Sequence, residues 1–490
     1  MDTGGVVSFL EGKTVLVTGA AGFISKIFLE KVLRVQPKVK KIYLLLRARD
    51  SESAALRLQN EIIGKDLFRI LKEKWGAELS TFIDDKTSLV AGDLCADDDL
   101  GIKNPCLREE IYNSVDFVIN LAANTSFDER YDVAFGINTM GAIHVLNFAR
   151  KCTNLQALVH VSTAYVAGEK SGSITETPYE MGVALNGTPG LDIEKEKKAI
   201  KETLDNLQSS GATSDDIKSA MKDLGIERAR SYGWPNTYVF TKAMGEMLVE
   251  KWRGNMSVAI MRPTVVTSTY REPFPGWVEG IRTIDSLTVG YGTGRVTCFL
   301  CDLDATIDLI PADMVVNAIL AAMMSHAKQA HSRIYHIGSS ARNPMKYSDM
   351  RRFGQSYFKE KPWIGKDGKP VIVKDVKILG SMGSFYGHMA IRYMILLKAL
   401  QFAKFAFGGY FEELYDDLNR KVRFIMKLAE LYRPYVFFSG IFDNTNTEKL
   451  WAATKHESDK NTIYFDPSSI NWEEYFLKTH LPGVVKHVFK

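Results

Sequence analysis

Tyr238 and Lys242 stand four residues apart at the start of TYVFTKAMGEMLVEKW, a run of good helix formers, so both side chains share one helix face. A phenol in that position gives a proton to a developing oxyanion, and a neighbouring ammonium lowers a phenol pKa that is ordinarily about 10. Far earlier, a strand-like KTVLV run opens into Thr18-Gly19-Ala20-Ala21-Gly22-Phe23-Ile24. Gly19 and Gly22 allow backbone to approach a pyrophosphate, and Phe23 and Ile24 begin a helix whose first amides face that charge. One motif holds a dinucleotide and the other manages a proton. The chemistry they describe together is nicotinamide-dependent hydride transfer. The same Tyr-to-Lys spacing recurs at Tyr357 and Lys361, but Pro362 disfavours helix there, and that pair reads as a surface coincidence.

Other candidates sit where strand-like runs end. After LLL come Arg47-Ala48-Arg49, where an NAD-preferring enzyme carries an acid for the ribose 2′-hydroxyl. Two guanidinium groups suit a 2′-phosphate, so NADPH is the expected cofactor over NADH, the alternative being solvated cations at a strand exit. Asp93 and Leu94 end the third run, where the carboxylate either accepts from an adenine amino group or caps the next turn. Ala122 and Ala123 end the fourth with small side chains that let backbone pass under the nicotinamide-side ribose. Thr163, just past the fifth run, is placed to hold the reacting oxygen. Asn138 either holds a water behind Lys242 or serves as a buried, hydrogen-bonded amide at a helix kink. Pro263 and Val265 follow the sixth run, where backbone groups meet a nicotinamide carboxamide. His160 and His336, inside strands, read as satisfied core histidines.

These groups meet only if the elements between them form one sheet. Continuous apolar runs at 15–18, 42–46, 88–91, 115–122, 157–162, 258–261 and 334–337 alternate with helical stretches, including 22–35 and 127–151. Runs apolar at every position suit strands covered on both faces, which predicts an α/β fold with a doubly wound parallel sheet of Rossmann type. The charged insertion 164–237 predicts a helical hairpin in part, either a solvated surface insertion or, slightly favoured by its length beside the active-site strand, a lid over substrate. Residues 411–433 predict an amphipathic helix, stopped by Pro434, whose stripe of Leu414, Leu418, Val422, Ile425 and Ala429 either packs on a second domain, the favoured reading, or lies on a membrane surface. Trp472, Tyr475 and Phe476 supply a small core of its own to the tail.

With 490 residues, 46% apolar and 24% charged, the chain is long enough for two or three domains. A net charge of +4 without a dense basic run argues against nucleic acid as a partner. Five cysteines, with one lone CxxC at Cys298 and Cys301, point to buried thiols in a reducing compartment and to no metal site. The core pattern begins by Lys13, leaving no length for a signal or transit peptide. The most membrane-like stretch, 386–411, is interrupted by Arg392, Lys398 and Lys404 and should not span a bilayer.

The ordered set TGAAGFI, LLLRAR, GDL, NLAA, VSTAYV, YVFTK and RPTVV resembles the extended short-chain dehydrogenase/reductase superfamily. The long insertion before YVFTK, the segment Phe274-Pro275-Gly276-Trp277 and the FDNTNTEKL region look like plant alcohol-forming fatty acyl-CoA reductases. That resemblance implies a reductase domain over 11–350, including the insertion, and a smaller, mainly helical C-terminal domain over 385–490. It also implies reduction of a long-chain acyl-CoA by two NADPH, through a bound aldehyde, to a primary alcohol for wax, cuticle or pollen-wall lipid. In that scheme Tyr238 protonates the oxyanion, Thr163 assists and Lys242 holds the ribose. The location implied is peripheral, on the cytosolic side of the endoplasmic reticulum. A one-step reductase releasing aldehyde, a nucleotide-sugar epimerase and a non-catalytic NADPH-binding module are the rival readings.

Overall fold

A computed structural model describes residues 5–489 except 49, 282, 328, 407–409, 457, 458 and 460. The seven apolar runs form one parallel sheet of β1 (Thr14–Thr18), β2 (Lys41–Leu46), β3 (Thr87–Ala91), β4 (Phe117–Asn120), β5 (Ala157–Val161), β6 (Val258–Pro263) and β7 (Ser332–Ile337). Their order is β7-β6-β5-β4-β1-β2-β3. The direction of winding reverses between β1 and β4, whose ends Thr18 and Asn120 are in register, and a crevice for ligand opens beyond such a reversal. Alternate residues serve opposite faces. Val15, Val17, Ile42 and Leu44 enter one apolar cluster, and Leu16, Tyr43, Leu45 and Val118 enter another. Two covered faces require apolar residues at consecutive positions, which is why the runs read as unbroken.

Several boundaries differ from the sequence pattern for local reasons. β4 spans only Phe117–Asn120, because Val115 caps the preceding helix and the Ala122 amide donates to the Thr18 hydroxyl instead of a neighbouring strand. The helix expected from Phe127 begins at Tyr131. Before it, Asn124 accepts from the Ser126 amide and donates to Glu129, holding a loop. Pro434 does not stop its helix, which runs Glu412–Val436. A proline this near a C-terminus forfeits a single backbone bond. Tyr357 is a buried core residue of the helix Tyr347–Glu360 and not a surface one.

The insertion is a helical hairpin, Ile193–Ser209 and Ser214–Ser231, but it does not roof the crevice. It packs outside the helices that follow β4 and precede β6. There Arg228 pairs with buried Glu196, which also accepts from the Tyr131 hydroxyl at 2.8 Å. The roof is Glu412–Val436 instead, whose side chains Leu428, Leu431, Tyr432 and Tyr435 line the main cavity. The tail aromatics build no separate core. Trp472, Tyr475 and Phe476 belong to the cluster that contains β1, and the Tyr475 hydroxyl donates to the Ser268 carbonyl at 2.8 Å. Gly440–Phe442 pairs in parallel with Gly172–Ile174, so the mainly helical C-terminal region is stitched into the sheet-bearing part.

Candidate active site

β1 ends in a turn that only glycine makes cheaply. Gly19 has φ of +65°, and a Cβ there would lie 2.7 Å from the Ala122 Cα. The Gly22 amide donates to the Gly19 carbonyl at 2.8 Å, and Gly22 caps the helix Phe23–Val35. The Phe23 ring is buried on Trp277, with centroids 5.2 Å apart, which fixes the helix N-terminus relative to the turn. Thr18 is fully buried, and its hydroxyl donates to Asn120 at 2.6 Å while accepting from the Ala122 amide. It braces the two strand ends and does not line the cleft.

A cleft of about 200 Å³ lies over this turn, lined by Gly19, Ala21, Gly22, Arg47, Arg57, Asp93, Leu94, Ala122 and Ala123 among others. Most of the expected dinucleotide contacts are therefore together. The small residues fit the group, since a side chain at Gly19 would collide with backbone of β4's exit. Arg49 lies outside the described residues. Arg57, which sequence reasoning missed, reaches the cleft from the next helix, donates to the Arg47 carbonyl at 2.7 Å and pairs with Glu61 at 2.8 Å. Its place one helix beyond the strand exit was the available signal. One Asp93 oxygen accepts from the Cys95 amide at 2.9 Å, the turn-capping alternative, although the residue also borders the cleft.

The second half of the site is carried by the helix Thr237–Trp252. Asn236 caps it, accepting from the Val239 amide at 3.1 Å and donating to the Tyr435 hydroxyl at 2.8 Å. Tyr238 and Thr163 border a common cavity of about 530 Å³, with Val265 on its wall. Thr163 also contacts the Pro263 carbonyl at 3.5 Å. Lys242 is buried and donates to the Val161 carbonyl at 2.7 Å, which draws it to the end of β5. Phe127 and Tyr435 complete an aromatic wall beside Tyr238, with centroids 6.0 Å from Phe127 to Tyr238 and 4.9 Å from Phe127 to Tyr435. Neither residue carried a sequence signal, since Tyr435 is distant along the chain.

Asn138 falls in a π-helical turn, Phe135–Met140. Its amide nitrogen donates to the Asn124 carbonyl and to Thr241, each at 3.0 Å, and its oxygen accepts from the Asn124 amide. Both amide hydrogens are committed, so only an oxygen lone pair is left for a water. The wider turn leaves room for the catalytic helix, where a Cβ on Gly245 would lie 2.2 Å from the Asn138 carbonyl. Below Lys242, buried Arg262 on β6 grips Glu246 with contacts of 3.2, 3.1 and 2.6 Å. His336 is satisfied by the Asp443 carbonyl at 2.8 Å and by Arg262. His160 meets Asn120 at 3.0 Å, while its Nε2 has no partner among the described residues.

Electrostatics correct one expectation. The Tyr238 phenol is not lowered but pushed up to about 12, chiefly by burial, against which the Thr163 hydroxyl acts. Lys242 does not rank among the groups acting on it. The ammonium is itself lowered to about 8 by burial, opposed by the negative charge of Glu246. At neutral pH the phenol keeps its proton and Lys242 keeps its charge. A protonated Tyr238 suits the reductive direction, in which a proton is given to substrate oxygen.

The glycine turn, the parallel strand order and the cleft over them are those of a reductase that uses a nicotinamide cofactor on the extended short-chain dehydrogenase/reductase fold. Models described as male sterility protein match residues 17–319, as an NAD-binding region, and 392–490. The chain is 53% identical over 490 residues to an alcohol-forming fatty acyl-CoA reductase of Simmondsia chinensis, covering 99% of each chain. It is 47% identical over 488 residues to probable fatty acyl-CoA reductase 4 of Arabidopsis thaliana, again covering 99% of each. The terminal R domain of the myxalamid PKS-NRPS pathway shares the fold, with a TM-score of 0.58 at 19% identity over 100% of this chain and 93% of that one. The chain belongs to the fatty acyl-CoA reductase family.

Proposed function

We propose that the protein reduces a long-chain fatty acyl-CoA to the primary alcohol with NADPH, through an aldehyde that stays in the cavity. The observation that carries this reading is the pairing of two sites: the glycine-turn cleft, and a larger cavity bordered by Tyr238 and Thr163 together with apolar groups such as Val265, Ile284, Leu287 and Leu431. Full-length likeness to an alcohol-forming relative supports the same reaction.

Gly19, Gly22 and the amides of Phe23 and Ile24 would hold the pyrophosphate, and Arg47 with Arg57 would meet a 2′-phosphate. When bound, the reduced nicotinamide supplies hydride. Thr163 Oγ1 and Tyr238 Oη together fix the thioester oxygen, and the Tyr238 proton neutralises it as charge develops. Collapse of the resulting hemithioacetal expels CoA as a thiol. The aldehyde oxygen then occupies the same donor pair, and Tyr238, reprotonated, gives a second proton. Overall, two hydrides and two protons convert one thioester to one alcohol and one free thiol. No cysteine lines the cavity among the described residues, and none is needed, because the acyl group never leaves CoA until it is an aldehyde. Lys242, with one N–H on Val161, offers its remaining hydrogens to ribose hydroxyls.

The product would enter wax, cuticle or pollen-wall lipid from the cytosolic face of the endoplasmic reticulum. No described helix is long and apolar enough to cross a membrane, which agrees with peripheral attachment. Purified protein given hexadecanoyl-CoA should consume two NADPH per alcohol formed. Tyr238→Phe should retain NADPH binding and lose about 10²- to 10⁴-fold in kcat. Aldehyde accumulation at one NADPH per CoA released would replace this reading with a one-step reductase, and full activity in Tyr238→Phe would remove the tyrosine from the chemistry.

A further inference from the structure

Apolar side chains on the surface of this protein are not scattered. Of 19 large hydrophobic residues exposed among the described residues, 12 lie between Tyr386 and Leu428. They sit on a helical hairpin. Its first arm runs through Met382–Met389, the π turn Ala390–Met394 and Ile395–Ala406, and its second is Glu412–Val436. Lys404 pairs with Glu412 at 2.5 Å, and Tyr386 donates to Glu430 at 3.2 Å, so the arms are antiparallel.

The inner side is fastened by Phe385, Met389, Leu397 and Val422, which belong to the main core. The outer side has no such cover. Ile391, Met394, Ile395, Phe402 and Phe405 recur at three-, four- and seven-residue spacing along one face, which Lys398 shares between Ile395 and Phe402, with Phe402 74% and Phe405 89% exposed. Residues 382–406 carry three cations, Arg392, Lys398 and Lys404, and no acid. An exposed apolar stripe on an arm whose only charges are cations is the pattern of a helix lying in a membrane interface, while the second arm balances Glu412, Glu413, Asp416, Asp417 and Glu430 against Arg420, Lys421, Arg423, Lys427 and Arg433. No described helix is long and apolar enough to cross a membrane.

The second arm links this surface to the chemistry. Phe424 and Leu428 are exposed and also line the catalytic cavity beside Lys427. The cavity mouth therefore opens through the same hairpin. We propose that the outer face of the hairpin 382–436 docks on an anionic phospholipid surface, so that the acyl chain of the substrate passes between bilayer and cavity without crossing water. The docking stands independently of the reaction assigned above; the passage of an acyl chain rests on that assignment. A second copy is a poorer occupant, because two-fold pairing through this stripe would set Arg392 and Lys398 close to their own equivalents without acids between them.

The experiment is flotation of the purified full-length protein with vesicles of phosphatidylcholine, with and without phosphatidylserine, in the absence of substrate. The protein should float with the anionic vesicles, and added salt should weaken its binding. Arg392→Gln/Lys398→Gln should reduce affinity by about 25-fold, near fivefold per cation. Phe402→Glu/Phe405→Glu should abolish flotation while leaving turnover of a soluble, short-chain acyl-CoA at the wild-type rate. Both pairs are surface residues outside the cavity, and circular dichroism checks their folding. Wild-type protein that stays unbound with anionic vesicles, or variants that float as well as wild type, would overturn the proposal. So would light scattering that shows a dimer dissolved by Phe402→Glu/Phe405→Glu, which would give the face to a second copy. Loss of reductase activity with flotation intact would instead count against the assigned reaction and leave the docking standing.

Discussion

Replacing Glu246 by Gln tests how the site keeps Lys242 charged. Glu246 lies one helical turn beyond Lys242, and both are buried. Its negative charge opposes the burial that lowers the ammonium to about 8. Charges about 6 Å apart interact by about 2.8 kcal/mol at an effective dielectric of 20, equivalent to about two pH units. Arg262 shares the same carboxylate and neutralises part of it, so about one unit is expected. Lys242 is cationic below its pKa, and activity that depends on the cation is lost as pH rises through about 8. Removing Glu246 should move this limb about one unit lower. Arg262→Met should move it higher, because the carboxylate then acts on Lys242 alone. Each single replacement also strands a buried charge and should cost about 3–5 kcal/mol of stability. The double variant, with neither charge, should recover much of that stability while its limb stays low. The assay is kcat/KM from initial NADPH oxidation between about pH 6 and about pH 10, which reports the free enzyme's groups. A limb unmoved in a destabilised Glu246→Gln variant would refute the reasoning and reduce Glu246 to a counterion for Arg262.

Gly19→Ala forces a Cβ into left-handed backbone and toward the Ala122 Cα, so NADPH affinity measured by fluorescence titration should fall at least about tenfold with the fold retained. Arg47→Asp should reverse the charge offered to a 2′-phosphate and shift the NADPH-to-NADH ratio of kcat/KM toward NADH by about 10²-fold; an unchanged ratio would assign that selectivity elsewhere. Seating of Tyr238 can be probed at Tyr435, which accepts from Asn236 and stacks on Phe127. Tyr435→Leu should lower kcat by about tenfold or more with little change in NADPH binding, because it disturbs positioning and not the dinucleotide cleft.

The sequence alone determined those parts whose cause is local. A strand covered on both faces must be apolar at consecutive positions, so all seven core strands were visible as runs and their alternation with helices implied a parallel sheet. The tight turn at Gly19 and Gly22 was legible because few residues tolerate its backbone. Tyr238 and Lys242 were legible because helix geometry alone puts them on one face.

Tertiary structure decided whatever depends on contacts between distant segments. The insertion looked like a lid because of its position in the chain, yet Glu412–Val436 is the roof, since apolar residues from another part of the chain pack over the cavity. Arg57 joins the cofactor cleft only because its helix packs beside β3, which brings the guanidinium to the Arg47 carbonyl. The lowered phenol expected from a neighbouring lysine is instead raised. Proximity along a helix sets which groups share a face, but burial by the whole fold sets the cost of a charge there. That cost is a property of surroundings assembled from every part of the chain, and no local pattern encodes it.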